Sequence, residues 1–230
     1  MKKPLIFFSA QTPSDQIPIA GQQVAYNHLV KLSLQYNIYL FFFVNEFEEN
    51  FIQKTDYSFC KKIHFVKQTS LSKNFNRLKY CYLPIKVSSR IDNELQKIIK
   101  KTIIENEIEE GHFEFTSILG SSSFTKKLLK KRTIVEHDIT FQSFYRKFKS
   151  ASNPLLKLFY FFEFKRMKRY EINKLMGYDL IITLNNKDKS ILNEFGFDNV
   201  EVSYPEINLN VKSVNRRIKP YSIGFVGAMH

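Results

Sequence analysis

The chain has 230 residues, 43% of them apolar and 25% charged, with a formal net charge of +13. That length supplies one sizeable core, or one domain with a piece of another, and the longest aromatic cluster falls far short of the roughly 20 apolar residues of a membrane span. The opening MKKPLIFFSAQTP has the lysines of a secretory leader, but its apolar run covers only Leu5 to Phe8; it reads as a first strand, so the protein is expected in the cytoplasm.

The charge is uneven. From Lys126 to Tyr170 thirteen basic residues face only Glu136, Asp138 and Glu163. Such a segment suits phosphoryl groups, acidic lipid headgroups or nucleic acid, or is simply a solvated basic face. No nucleic-acid-binding motif accompanies it, and basic charge alone is non-specific, so nucleic acid is the weaker expectation. Cys60 and Cys81 have no metal-site spacing and are expected to be unpaired.

In chain order, Leu5 to Ser9 is a strand, followed by a loop from Ala10 to Ala20 and a helix opened by Gly21, with Val24, Ala25, Leu29 and Leu32 at helical spacing. A glycine between a first strand and first helix lets backbone amides approach an anion. Asn37 to Val44, NIYLFFFV, reads as a central strand and Ile63 to Val66 as a short one. The stretch from Gln68 to Lys86 mixes basic and aromatic residues and gives only a helix or ordered loop. Ser88 or Ser89 opens a helix through Ile103. Phe113 to Leu119 then reads as a strand, Ser121 to Leu129 as a helix, and Arg132 to Glu136 as a strand ending at His137 and Asp138.

A long helix starts at Pro154 and reaches about Met176. Its first turns are apolar nearly all round, from Leu155 to Phe164, before turning basic at Lys165. Either an anionic bilayer surface or another protein surface would cover that patch. Within this helix Glu171 is expected to pair with Arg166 or Lys168. Asp179 to Leu184 is a buried strand, Asn185 or Asn186 caps the next helix, Gly196 ends it, and Val200 to Tyr204 is a further strand. Strand, helix, strand makes a βαβ unit. The whole order predicts an α/β fold, a Rossmann-like doubly wound parallel sheet with helices on both faces. Residues 1–209 form this domain, 210–220 a polar linker, and 221–230 the first strand of a second, truncated domain.

The residues Gly177-Tyr178-Asp179-Leu180-Ile181-Ile182-Thr183-Leu184, the helix and strand after them, and Phe225-Val226-Gly227-Ala228-Met229 resemble the N-terminal part of glycosyltransferase family 4. The resemblance is specific from about Arg132 onward. It departs from the family at Glu206, where Asn-Gly is usual, and at Asn185 or Asn186, which replace a serine. It implies the N-terminal half of a glycosyltransferase B fold that binds acceptor. The enzyme would retain anomeric configuration while transferring sugar from a nucleotide-sugar to a glycan or lipid-linked acceptor in cell-surface polysaccharide synthesis, without a metal. Most of the nucleotide would be held by the C-terminal domain, and the fragment alone would be inactive. Gly21 then corresponds to the glycine loop near the donor diphosphate, with Gln22 beside it. His137 corresponds to the histidine facing the transferred sugar, with Asp138 next to it. The family also implies peripheral attachment at the inner face of the cytoplasmic membrane. A basic Rossmann-like module for nucleic acid or anionic membrane is the competing reading.

Overall fold

The computed structural model describes residues 2–205. The expected linker and second-domain strand lie outside the described residues. In chain order the elements are β1 (Lys3–Ser9), α1 (Ala20–Ser33), β2 (Tyr36–Asn45), α2 (Glu46–Ile52), β3 (Cys60–Gln68), α3 (Ser70–Lys79), α4 (Ile85–Ser88) and α5 (Asn93–Glu105). Then come β4 (Glu110–Glu114), α6 (Leu119–Ser122) within a broken helical stretch, β5 (Lys131–Glu136), α7 (Thr140–Ser150), α8 (Pro154–Leu175), β6 (Leu180–Thr183), α9 (Asn186–Glu194) and β7 (Val200–Val202).

The seven strands form one parallel sheet in the order β3-β2-β1-β4-β5-β6-β7. The expected α/β class and doubly wound topology are therefore present. Strand alternation sorts β2 onto two faces. Tyr39, Phe41 and Phe43 join Ile6, Phe8, Phe113, Ile134 and Ile181 beneath Leu95 and Ile99 of α5, Leu119 of α6 and Met167 of α8. Ile38, Leu40, Phe42 and Val44 join Leu5 and Phe7 beneath Tyr26 and Leu29 of α1. Six of these aromatic side chains are fully buried, Phe113 of β4 and, in β1 and β2, Phe7, Phe8, Phe41, Phe42 and Phe43. Each contributes roughly 1.5–3 kcal/mol, which makes β1 and β2 the anchor of the sheet.

Several boundaries differ from the sequence reading. β4 stops at Glu114, not Leu119, because Phe115 takes φ 72, a left-handed conformation that ends the pairing. The helix read from Ser121 is a broken run of 3-10 and α turns over 116–127. The ambiguous basic stretch contains α3 and α4, and α5 begins at Asn93, capped by Asp92, whose side chain accepts from the Leu95 amide. Two helices were not anticipated. α2 is announced by a capping box in which Asn45 and Glu48 bond each other's backbone amides. α7 follows β5 directly. Asn185 caps α9 and Gly196, at φ 84, closes it as expected. Both cysteines are free.

Candidate functional site at the carboxyl rim of the sheet

The chain winds from β1 toward β2 in one direction, and β4 lies on the other side of β1. This reversal opens a crevice at the carboxyl ends of β1 and β4, the place where open α/β sheets bind ligands. The loop after β1 is pinned there. The Thr12 hydroxyl donates to Glu48 at 2.8 Å, and the Tyr57 hydroxyl donates to the Pro13 carbonyl at 2.5 Å. α1 then starts behind Ile19 with no side-chain cap.

Gly21, in the first turn of α1, faces β5. A Cβ on it would lie 3.2 Å from the Phe115 ring and 3.4 Å from His137 Nδ1. The sequence-derived pair Gly21 and His137 thus meets on one rim. His137 stacks on Phe115 with ring centroids 3.8 Å apart and planes 15° apart. The left-handed backbone at Phe115 is what turns its ring over the crevice, and such strain concentrates at functional sites. Asp138 is exposed beside them. Gln22 is not brought to the rim: its side chain is buried and donates to Glu48, fixing the root of α1.

Beneath His137 lies a cluster that sequence reasoning does not single out. Glu114, fully buried at the end of β4, receives His137 Nε2 at 2.6 Å, His112 Nε2 at 2.8 Å and His28 Nδ1 at 2.9 Å. Burial alone would raise its pKa. The histidine hydrogen bonds outweigh this and hold it well below the usual carboxylate range. An ionised carboxylate only accepts, so the Nε2 of His137 must carry a proton. Its Nδ1, buried and without a partner, is left as the available nitrogen. His28, His112 and Glu114 place three potential ligand atoms within 4.8 Å of one another, a set that could hold a divalent cation such as zinc. In the structure the imidazoles bond the carboxylate directly.

On the opposite face of β5 lies a second buried pair. Glu171 does not pair with Arg166 or Lys168 as expected. It reaches from α8 to accept the backbone amides of Thr140 and Phe141, both at 2.9 Å, at the start of α7. Arg166 instead bonds Glu163 at 2.6 Å. Burial pushes the pKa of Glu171 up to about 8 despite those two amides. Burial and the Glu171 charge likewise raise that of Glu136 well above the ordinary carboxylate value. Two such carboxyls cannot both ionise. Glu171, with two amide donors, is better suited to the charge, and Glu136, beside the Thr116 hydroxyl, to the proton.

Above these groups the rim opens into two adjoining cavities that share His137 and Asp138. One, of ≈ 230 Å³, adds Arg77, Lys86, Ser89, Arg90 and Ser117. The other, of ≈ 320 Å³, adds Gln142, Arg146, Asn185 and Lys187. An apolar groove of ≈ 280 Å³ lies away from this rim, along the sheet face between α1 and β6, and is lined by Leu32, Leu180 and Ile182. The polar rim, with its carboxylate-braced histidine and cationic walls, is the better candidate for chemistry.

No protein-family model matches this sequence, and no curated protein matches it. The rim geometry and the residues that resemble a known family therefore carry the functional reading. Among the described residues, no helix is long and apolar enough to cross a membrane.

Proposed function

We propose that this chain is the acceptor-binding lobe of a retaining glycosyltransferase that uses a nucleotide-sugar donor and a glycan or lipid-linked acceptor in cell-surface polysaccharide synthesis. The observation that carries this reading is the meeting of Gly21 and His137 at the switch-point crevice. The glycine lets the Phe115 and His137 rings close on the first turn of α1, whose start has no side-chain cap and whose backbone amides and helix dipole favour negative charge. The histidine, locked by Glu114, offers Nδ1 as an acceptor for a sugar hydroxyl. The reading assigns Asp138 to sugar hydroxyls at the mouth of the cavities.

The test is sugar transfer by the full reading frame that contains these residues. Radiolabelled nucleotide-sugars are supplied together with a membrane extract as acceptor source. Transfer that His137→Ala reduces at least about 100-fold, in the range of a lost positioned acid or base, supports the reading. Its absence with every common nucleotide-sugar defeats it.

A specific observation also favours peripheral membrane contact. Leu155, Leu156, Leu158, Phe159 and Phe162 of α8 are exposed, with Lys157 and Lys165 among or beside them. An apolar helix surface flanked by lysines suits the boundary of an anionic bilayer. Co-sedimentation with anionic but not neutral vesicles is the expected behaviour, and equal failure with both removes this reading.

A further inference from the structure

The ≈ 230 Å³ cavity has an unusual wall. Arg77 from α3, Lys86 from α4 and Arg90 just beyond α4 all line it. Among the described residues, none of the ion pairs involves any of the three. Arg90 is braced from behind. One Nη donates to Gln68 at 2.5 Å, Gln68 in turn donates to the Ser89 carbonyl at 3.0 Å, and the guanidinium lies 5.7 Å from the Phe43 ring centroid.

Burying a cation without a counter-charge is costly. Burial lowers the Arg90 pKa to about 10, so it remains charged at neutral pH. Burial and then the Arg90 charge also lower that of the neighbouring Lys73. Glu48, whose oxygens accept from Thr12, Gln22 and the Asn45 amide, offsets part of the Arg90 charge from outside the cavity lining. Arg77, Lys86 and Arg90 thus bring three cationic side chains to one cavity whose wall also includes Ser89 and Ser117.

We infer that this cavity is a subsite for a phosphoryl group on the acceptor, gripped by Arg77, Lys86 and Arg90 while the sugar or polyol part of the same molecule reaches His137 and Asp138. A guanidinium fork matches two phosphoryl oxygens, and lysine adds a point charge. Asp138, in the same cavity, accepts from sugar or polyol hydroxyls, which orients that part of the molecule toward His137. This assignment rests on the glycosyltransferase reading for the identity of the molecule as an acceptor, but not for the binding of phosphate itself.

Calorimetric titrations of the chain with glucose 1-phosphate and glycerol 3-phosphate, against glucose and glycerol, test it directly. The phosphorylated probes bind at least about tenfold more tightly than their neutral counterparts, and Arg77→Gln and Lys86→Gln each weaken them by about tenfold. Both substituted side chains are at least partly solvent-accessible, so the melting temperature should hold. Arg90→Lys keeps the charge but loses the fork, and weakens binding as well. Phosphatidylcholine vesicles carrying a polyprenyl phosphate separate the two sources of the group: tighter binding there than to glucose 1-phosphate assigns a lipid-linked acceptor, and the reverse a soluble one. Equal affinity for phosphorylated and neutral probes, or unchanged affinity in both Arg77→Gln and Lys86→Gln, overturns the subsite. No nucleotide-sugar is present, so that result leaves the transfer reading standing. Intact phosphate binding without sugar transfer defeats only the latter.

Discussion

His137 Nε2 lies 2.6 Å from Glu114 Oε2, and the same carboxylate also holds His112 and His28. One buried anion thus sets the proton position on the imidazole that faces Gly21. Glu114→Gln removes the anion, and its amide can donate as well as accept. We expect a mixed His137 tautomer, visible as shifted ring nitrogen resonances. A loss of about 1–3 kcal/mol in stability should accompany it, as for other buried polar groups left mismatched. Unchanged ring nitrogen shifts would show that Glu114 does not control the tautomer.

The same carboxylate gives a pH dependence of known sign. Its folded-state pKa lies below the unfolded value, so its contribution is present above about pH 4 and disappears as pH falls through the depressed folded value. In acid titrations followed by circular dichroism, Glu114→Gln should flatten the low-pH limb relative to the wild-type chain.

Glu171 and Glu136 act in the opposite sense, since their folded-state pKa values are raised. The folded chain binds more protons than the unfolded one from about pH 4 up to the raised values. Their contribution therefore declines as pH climbs toward and through about 8, the value for Glu171. Glu136→Gln leaves Glu171 free to ionise against its two amides. Calorimetric melting between mildly acidic and mildly basic buffer should show a falling melting temperature for the wild-type chain and a shallower fall for this variant. Parallel slopes would argue against a shared proton.

Gly21→Ala separates space from stability. In a helix the substitution gains up to about 1 kcal/mol, while the added methyl crowds the Phe115 ring at 3.2 Å and His137 Nδ1 at 3.4 Å. The melting temperature is expected to hold or rise, whereas transfer by the full protein should fall by about 10–100-fold, as for small misplacements of a reacting group. Undiminished transfer would free Gly21 from the site.

On α8, replacing Leu155, Phe159 and Phe162 together by serine removes exposed apolar surface without opening the core. Each side chain is 42–78% exposed. Vesicle association is expected to drop by more than tenfold on the scale of about 0.8 kcal/mol per CH₂ withdrawn from lipid, with the fold unchanged by circular dichroism.

How far the sequence could be read follows from the range over which each feature is encoded. The run from Ile38 to Val44 declares a central strand by itself, and Asn185 with Gly196 declares both ends of α9. Gly21 and His137 are legible because each sits at a strand–helix junction. The Glu114 cluster is not, because His28 and Glu114 are 86 positions apart and meet only when α1 packs on β4. One local hint exists: His112 and Glu114 alternate about Phe113 in β4, which puts two polar groups on a face that should be greasy. Glu171 misled for the converse reason. A helical acid near Arg166 and Lys168 satisfies the local rule, yet its partners are amides from another helix.

The Glu171 contact has a mechanical side. Two hydrogen bonds clip the C-terminal part of the 22-residue α8 to the first turn of α7, immediately after His137 and Asp138. The long helix and the loop bearing those two residues are thereby yoked, and tilting one drags the other. A load applied at the outer tip of α8 would arrive at the crevice as a change of aim.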